Sequence, residues 1–213
     1  MISRKYRLVE FFLLFFVMPL SLLLPYDFRI KGISILVAFS YLLFVLFKKT
    51  EAKFKLQKNI QWAAFFKRIA VQGAVIAVIT TVFVWVMLPN ALFCVPRSNL
   101  KLFVIILFVY TFLSVWPQEV IYRTFYFERY QDLFSPRKLL IFINALVFSL
   151  AHIMFRNTLV LVLTFIGGLL FAYTYVKTKS TVLVSIEHAL YGNWLFTVGM
   201  GEMLAFPGQE ACG

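Results

Sequence analysis

Charge, histidine and cysteine are all scarce in this chain of 213 residues. Only 14% of the residues are charged, nine of them acidic, and there are two histidines and two cysteines. A soluble domain carries about 25% charged residues. So little charge, beside 62% hydrophobic residues and a mean hydropathy of +0.87, excludes an ordinary water-soluble fold. Cys94 and Cys212 form no CxxC and stand beside no histidine, which excludes a cysteine-based metal site. The His-Glu-x-x-His signature of zinc proteases is missing as well. No soluble appendage, internal repeat or low-complexity linker interrupts the chain.

What the chain has in abundance is long apolar runs. They predict an all-α, polytopic transmembrane bundle forming a single integral-membrane domain over residues 1–213. Seven runs approach the roughly 20 residues that a bilayer-spanning helix requires: 8–24, 30–47, 69–88, 102–126, 139–155, 158–176 and 181–198. The net charge of +12 is scattered between these runs, a pattern that fits loops facing an anionic cytoplasmic leaflet and not a nucleic-acid surface.

Orientation follows from the same charges. With the N-terminus inside, only Arg29, Lys31, Arg97, Lys101 and Arg156 of the 21 basic residues fall on the outer face. The positive-inside rule therefore predicts a cytoplasmic N-terminus and an external C-terminus. Arg4, Lys5 and Arg7 ahead of the first run resemble a secretory signal. No small-residue cleavage site follows, and Pro19 and Pro25 break the region, so it is read as a retained helix. Small size without appended domains favours a bacterial cytoplasmic membrane. Cys94 and Cys212 both fall outside, compatible with a disulfide in an oxidising compartment. The basic stretch from Lys48 to Arg68, with Phe54, Trp62, Phe65 and Phe66, reads equally as an amphipathic helix on the membrane surface or as a solvated loop.

Against this background a few ionisable residues stand out. Glu119 and Arg123 lie one helical turn apart inside the fourth run, and His152 and His188 lie in the fifth and seventh. An ionisable group within a bilayer costs at least about 2.5–3.5 kcal/mol and marks a functional site by default. The i, i+4 spacing puts Glu119 and Arg123 on one helix face, where pairing keeps both charged. Pro117 removes a helical hydrogen bond just before Glu119 and predicts a kink there. Counting about 1.5 Å per residue from the cytoplasmic ends places Glu119, His152 and His188 roughly 15, 21 and 14 Å deep, a shared layer. Phe148 stands one turn before His152 on the same face. Gly167, Gly168 and Ala172 on the sixth run predict close helix packing.

The ordered set Gln118-Glu119-x-x-x-Arg123, Phe148-x-x-x-His152 and His188 with Asn193 resembles the type II CAAX prenyl endopeptidase and bacteriocin-processing (CPBP) family over roughly residues 114–198. The family's motifs are Glu-Glu-x-x-x-Arg, Phe-x-x-x-His and His-x-x-x-Asn. The resemblance implies an intramembrane endopeptidase acting on a peptide or lipidated protein substrate in the bilayer. It also implies that Glu119, Arg123, His152 and His188 are catalytic, with Gln118, Phe148 and Asn193 in support. Two positions depart from the pattern. Gln118 replaces the family's first Glu, and an amide cannot take a proton from water, so Glu119 inherits the role of base. Gly192 occupies the place of the motif Asn, leaving Asn193 about 100° round the helix.

Several readings remain open at this stage. The leading one needs no cofactor; a zinc version would use Glu119, His152 and His188 as ligands with water in a fourth position. Gln118 favours a catalytically lapsed relative serving as a membrane scaffold or bacteriocin-immunity protein. A transporter with a protonatable site is the third, opposed by the absence of an inverted repeat.

Overall fold

The computed structural model describes residues 3–49 and 60–204. It is 85% helical, with no strand among the described residues. Eight helices follow in order: α1 (4–21), α2 (Phe28–Lys49), α3 (Trp62–Met87), α4 (Cys94–Ser98), α5 (Leu100–Tyr130), α6 (Arg137–Leu150), α7 (Thr158–Thr178) and α8 (Thr181–Val198). Each of the seven expected runs contains a helix, the first and fifth ending early at 21 and 150, and α4 is a short addition between the third and fourth.

Among the described residues, five segments are long and apolar enough to cross a membrane: Phe28–Lys48, Trp62–Met87, Leu100–Tyr130, Arg137–Phe155 and Thr158–Thr178. The first and seventh expected runs, in α1 and α8, fall outside this measure of length and composition. Helix α1 carries Arg4, Lys5, Arg7 and Glu10, and α8 spends its 18 residues partly on Ser185, Glu187, His188 and Asn193. Both polar sets are largely internal: Glu10, Ser185, Glu187 and His188 are buried. Phe28, Leu36, Val78, Trp85 and Leu113 are by contrast among the most exposed side chains, the inverted pattern expected of helices bathed in lipid.

Polar caps set the helix starts. Ser3, Asn99, Asn157 and Ser180 each accept a backbone N–H from the first turn that follows them, satisfying donors that a helix start leaves open. Helix α8 ends on Gly199 at φ 112°, with Met200 N–H returning to the Leu195 carbonyl. A side chain at 199 would be strained by that φ and would overlap the Ala91 carbonyl. The membrane-surface helix considered for Lys48 to Arg68 falls largely on 50–59, outside the described residues, while Trp62 to Arg68 begins α3. Cys94 is disulfide-bonded, and the chain's other cysteine, Cys212, lies outside the described residues.

The chain forms two compact units, Met1–Lys55 with Gln118–Lys177, and Leu56–Pro117 with Thr178–Gly213. In the first, α1 packs against α6, and against the C-terminal part of α5 and the turn after it through a cluster of rings: Phe11, Phe15, Tyr122, Tyr126, Tyr130 and Phe134. Helix α7 approaches α6 closely at Gly168, where a Cβ would come within 2.9 Å of the Ala145 Cα. In the second, α8 packs on α3 and on the N-terminal part of α5. Trp194 donates to Thr80 at 3.0 Å, and Phe196 stacks edge-on against Tyr110.

Within the first unit the helix ends pair as the alternating topology requires. Arg7 meets Asp132 at 3.4 Å, so the start of α1 and the end of α5 share one side. Arg156 donates to the Leu23 carbonyl at 3.2 Å, joining the other ends of α1 and α6.

Candidate active site

Helix α5 departs from regular α geometry around its carboxylate. Pro117 sits in a short α turn, Trp116–Glu119, bounded by the π-helical stretches Tyr110–Val115 and Val120–Phe125. Pro lacks the N–H that would bond four residues back, and the widened turns either side accommodate the missing bond within a continuous helix. Such π turns recur at functional sites because they free backbone groups. Here Tyr126 N–H reaches Ile121, five residues back, and Arg123. The Tyr122 carbonyl instead receives the Asn144 amide at 2.6 Å and an Arg123 Nη1 at 3.3 Å.

Glu119 and Arg123 are both fully buried and face each other, with Glu119 Oε2 3.2 Å from Arg123 Nε. The guanidinium is fixed on its other sides too. Its Nη1 donates to Asn144 Oδ1 at 2.8 Å, and its Cζ lies 4.7 Å from the centroid of the Phe148 ring and 5.8 Å from that of Phe171. A cation beside aromatic rings keeps favourable electrostatics after losing water. Phe148 continues the chain of contacts, its ring 5.0 Å from the His152 imidazole. One unit thus contains a contiguous line from Glu119 through Arg123 and Phe148 to His152.

His152 lies just past the end of α6, not within a helix. Its φ and ψ of −94° and 5° begin the 3₁₀ turn Ile153–Phe155. The turn shifts its backbone N–H to Ser149, and its Nδ1 lies 2.8 Å from the Phe148 carbonyl. A carbonyl only accepts, so Nδ1 carries the proton and Nε2 is the acceptor of the neutral ring.

His188 and Asn193 belong to the second unit. His188 is buried with its imidazole edge-on to Tyr110, centroids 6.0 Å apart. Asn193 donates to Thr111 Oγ1 at 3.0 Å. Tyr110 lies so close to Gly192 that a Cβ there would overlap its hydroxyl and ring carbons. The departure at the third motif therefore has a physical cause: Tyr110 fills the volume an Asn at 192 would need. Gln118 is half-buried at the start of the first unit's share of α5.

The sequence pattern missed three participants. Asn144, fully buried, is the direct partner of Arg123; a lone Asn in an apolar helix was the available signal. Glu187 stands next to His188, lies 3.8 Å from Arg68, and accepts from Tyr191 at 3.3 Å. Glu10 is held by Arg129, Tyr130 and Tyr41. Within each unit, among the described residues, no three His, Cys, Asp or Glu side chains gather as metal ligands.

An all-helical integral membrane protein with an acid–base pair sealed into a widened transmembrane helix defines the general class. Residues 99–194 match the family described as Type II CAAX prenyl endopeptidase Rce1-like, the stretch that carries all three motifs. No curated protein and no solved structure matches the chain. Over that stretch the chain resembles this family, a likeness that supports a CAAX-type intramembrane protease kind of function.

Proposed function

We propose that the protein is an intramembrane endopeptidase in which Glu119 activates the attacking water. The observation that carries this reading is the sealed Glu119–Arg123 pair, at zero exposure for both side chains, inside the stretch that matches a protease family. Burying a carboxylate and a guanidinium carries a desolvation penalty of several kcal/mol per ion, a burden without benefit for a helix that needs only to span lipid.

The chemistry is peptide hydrolysis. A Glu119 oxygen takes a proton from water, and the oxygen of that water attacks the scissile carbonyl carbon. The resulting oxyanion is stabilised by hydrogen-bond donors, His188 being the assigned one by its motif position. His152, accepting at Nε2 when neutral, takes up the proton that Glu119 removed from water and delivers it to the amide nitrogen as the C–N bond breaks, releasing an acid and an amine and returning Glu119 and the imidazole to their starting states. Arg123 holds Glu119 ionised and oriented. Positioned acid–base groups and oxyanion donors each contribute about 10²–10⁴-fold and 10²–10³-fold in rate.

The substrate is a peptide bond in a membrane-associated or lipidated chain, and the protein works in a bacterial cytoplasmic membrane with its N-terminus inside. The test uses purified protein in nanodiscs and a farnesylated peptide ending in Cys-a-a-X, alongside a membrane-peptide library. Glu119→Gln, His152→Ala and His188→Ala each lose at least about 100-fold in kcat. Parental cleavage by all three ends the assignment. Gln118 supports a second reading, a lapsed relative acting as scaffold or immunity protein. Proteolysis that begins only with Gln118→Glu favours that reading.

A further inference from the structure

The Arg123 guanidinium is gripped by a side chain that no motif contains. Asn144, on α6 and fully buried, spends both halves of its amide on α5. Its Oδ1 receives Arg123 Nη1 at 2.8 Å, and its Nδ2 donates to the Tyr122 carbonyl at 2.6 Å. That carbonyl lies within the π-helical stretch beginning just after Glu119, where Tyr126 N–H bonds to Ile121 and Arg123 instead. Arg123 Nη1 turns to the same carbonyl at 3.3 Å. Three polar groups therefore close a triangle whose members are the amide, the guanidinium and the backbone of the widened turn.

The geometry points to Asn144 as the positioning residue of the acid–base pair, an inference that rests on the proposed role of Glu119. The amide fixes Arg123 about its long axis, so that Nε rather than Nη1 faces Glu119 Oε2 at 3.2 Å. The rings of Phe148 and Phe171 restrain the plane of the guanidinium but not its rotation within that plane. Only a directional hydrogen bond does the second, because ring faces attract a cation without selecting which nitrogen points where. The same amide ties the π turn of α5 to α6, so the carboxylate and its cation move as one body. An Asp would add a second anion beside Arg123 and compete with Glu119, and a hydrophobic residue would leave the Tyr122 carbonyl and Nη1 without this partner. The neutral, two-sided Asn is the side chain that serves both.

The experiment compares kcat and KM on a farnesylated Cys-a-a-X peptide for the parent, Asn144→Ala, Arg123→Lys and the double variant, each as the monodisperse fraction in nanodiscs. Asn144→Ala lowers kcat about 10–100-fold with KM within about twofold, the signature of a lost transition-state arrangement. Arg123→Lys already lacks Nη1, so adding Asn144→Ala to it costs less than about twofold more, the non-additivity of two residues in one network. An equal loss in both backgrounds, or parental kcat in Asn144→Ala, overturns the positioning role. Asn144→Ser, which keeps a small hydroxyl donor, guards against misfolding; failure of both Asn144 variants to yield folded protein assigns the residue to stability alone and also overturns it. Glu119→Gln run alongside separates the two ideas. Full activity there ends the glutamate mechanism, whereas its loss beside an unimpaired Asn144→Ala ends only the positioning role.

Discussion

Glu10 and Arg129, 119 residues apart in sequence, form a two-point ion pair in which Arg129 Nε and Nη2 each donate to a different Glu10 oxygen at 2.8 Å. The hydroxyls of Tyr130 and Tyr41 donate to the same two oxygens at 2.9 and 2.8 Å. This clamp joins α1 and α2 to the end of α5, a helix that also carries Glu119. It is a structural counterpart of the site pair, with every carboxylate oxygen doubly served.

Breaking the clamp from one side leaves a buried, uncompensated guanidinium. Glu10→Ala is expected to destabilise the fold by about 3–5 kcal/mol, while replacing both partners by Met restores most of the loss. Reversible unfolding in mixed micelles as a function of denaturing detergent reads both. An unchanged midpoint in Glu10→Ala would mean that the clamp contributes nothing.

Gly192 is predicted to be intolerant of any side chain. A Cβ there meets the Tyr110 hydroxyl and ring carbons within the second unit, and Tyr110 is itself fixed between His188 and Phe196. Gly192→Ala is expected to cost about 1–3 kcal/mol through overpacking. Adding Tyr110→Leu to Gly192→Ala recovers part of that cost, as the same unfolding assay would show. Gly192→Asn, which restores the family's third motif, requires the Tyr110 change to be folded at all; normal stability without it would overturn the steric account.

Much of this architecture was readable from the chain, for physical reasons that also mark where reading stopped. Helix positions follow from local apolar runs, and Glu119 with Arg123 follows from i, i+4 spacing. The Phe148–His152 stack follows from the same rule. Glu10 with Arg129 follows no period, since the partners meet only after α1 folds against α5. The anomaly at Gly192 was visible, but its cause lies at Tyr110, 82 positions earlier. The π turns in α5 leave no trace in composition beyond Pro117. The first and seventh runs differ from the other five in hiding polar groups against neighbouring helices, and a periodicity argument cannot distinguish that from immersion in lipid.

Gly168 is expected to govern how closely α7 lies on α6. An added Cβ would stand 2.9 Å from the Ala145 Cα and 3.2 Å from its carbonyl oxygen, both backbone atoms that cannot swing aside. Gly168→Ala should therefore push the two helices apart and cost about 1–3 kcal/mol. Because Asn144 and Phe148 ride on α6, kcat should fall with stability. Gly167→Ala is the control, its Cβ meeting the terminal ring atoms of Phe171 at 3.2 Å, and it should cost less. Equal effects of the two substitutions on the unfolding midpoint would contradict this assignment.

Metal dependence is decided by the chemistry of the first proton transfer. With Glu119 as base and Arg123 as its paired cation, water is activated by a carboxylate, and chelators should leave the rate unchanged. The expected result is full cleavage of the farnesylated peptide after exhaustive dialysis against a zinc chelator, at a metal content near zero by elemental analysis. A zinc mechanism predicts the reverse: loss of activity on chelation, recovery with about one equivalent of zinc, and weakened zinc retention in Glu119→Gln, His152→Ala and His188→Ala, because a catalytic zinc holds three protein ligands and one water. Recovery by zinc with retention lowered in all three variants would replace the glutamate mechanism. Recovery with retention unaltered would place the metal on other residues and leave Glu119 as the base.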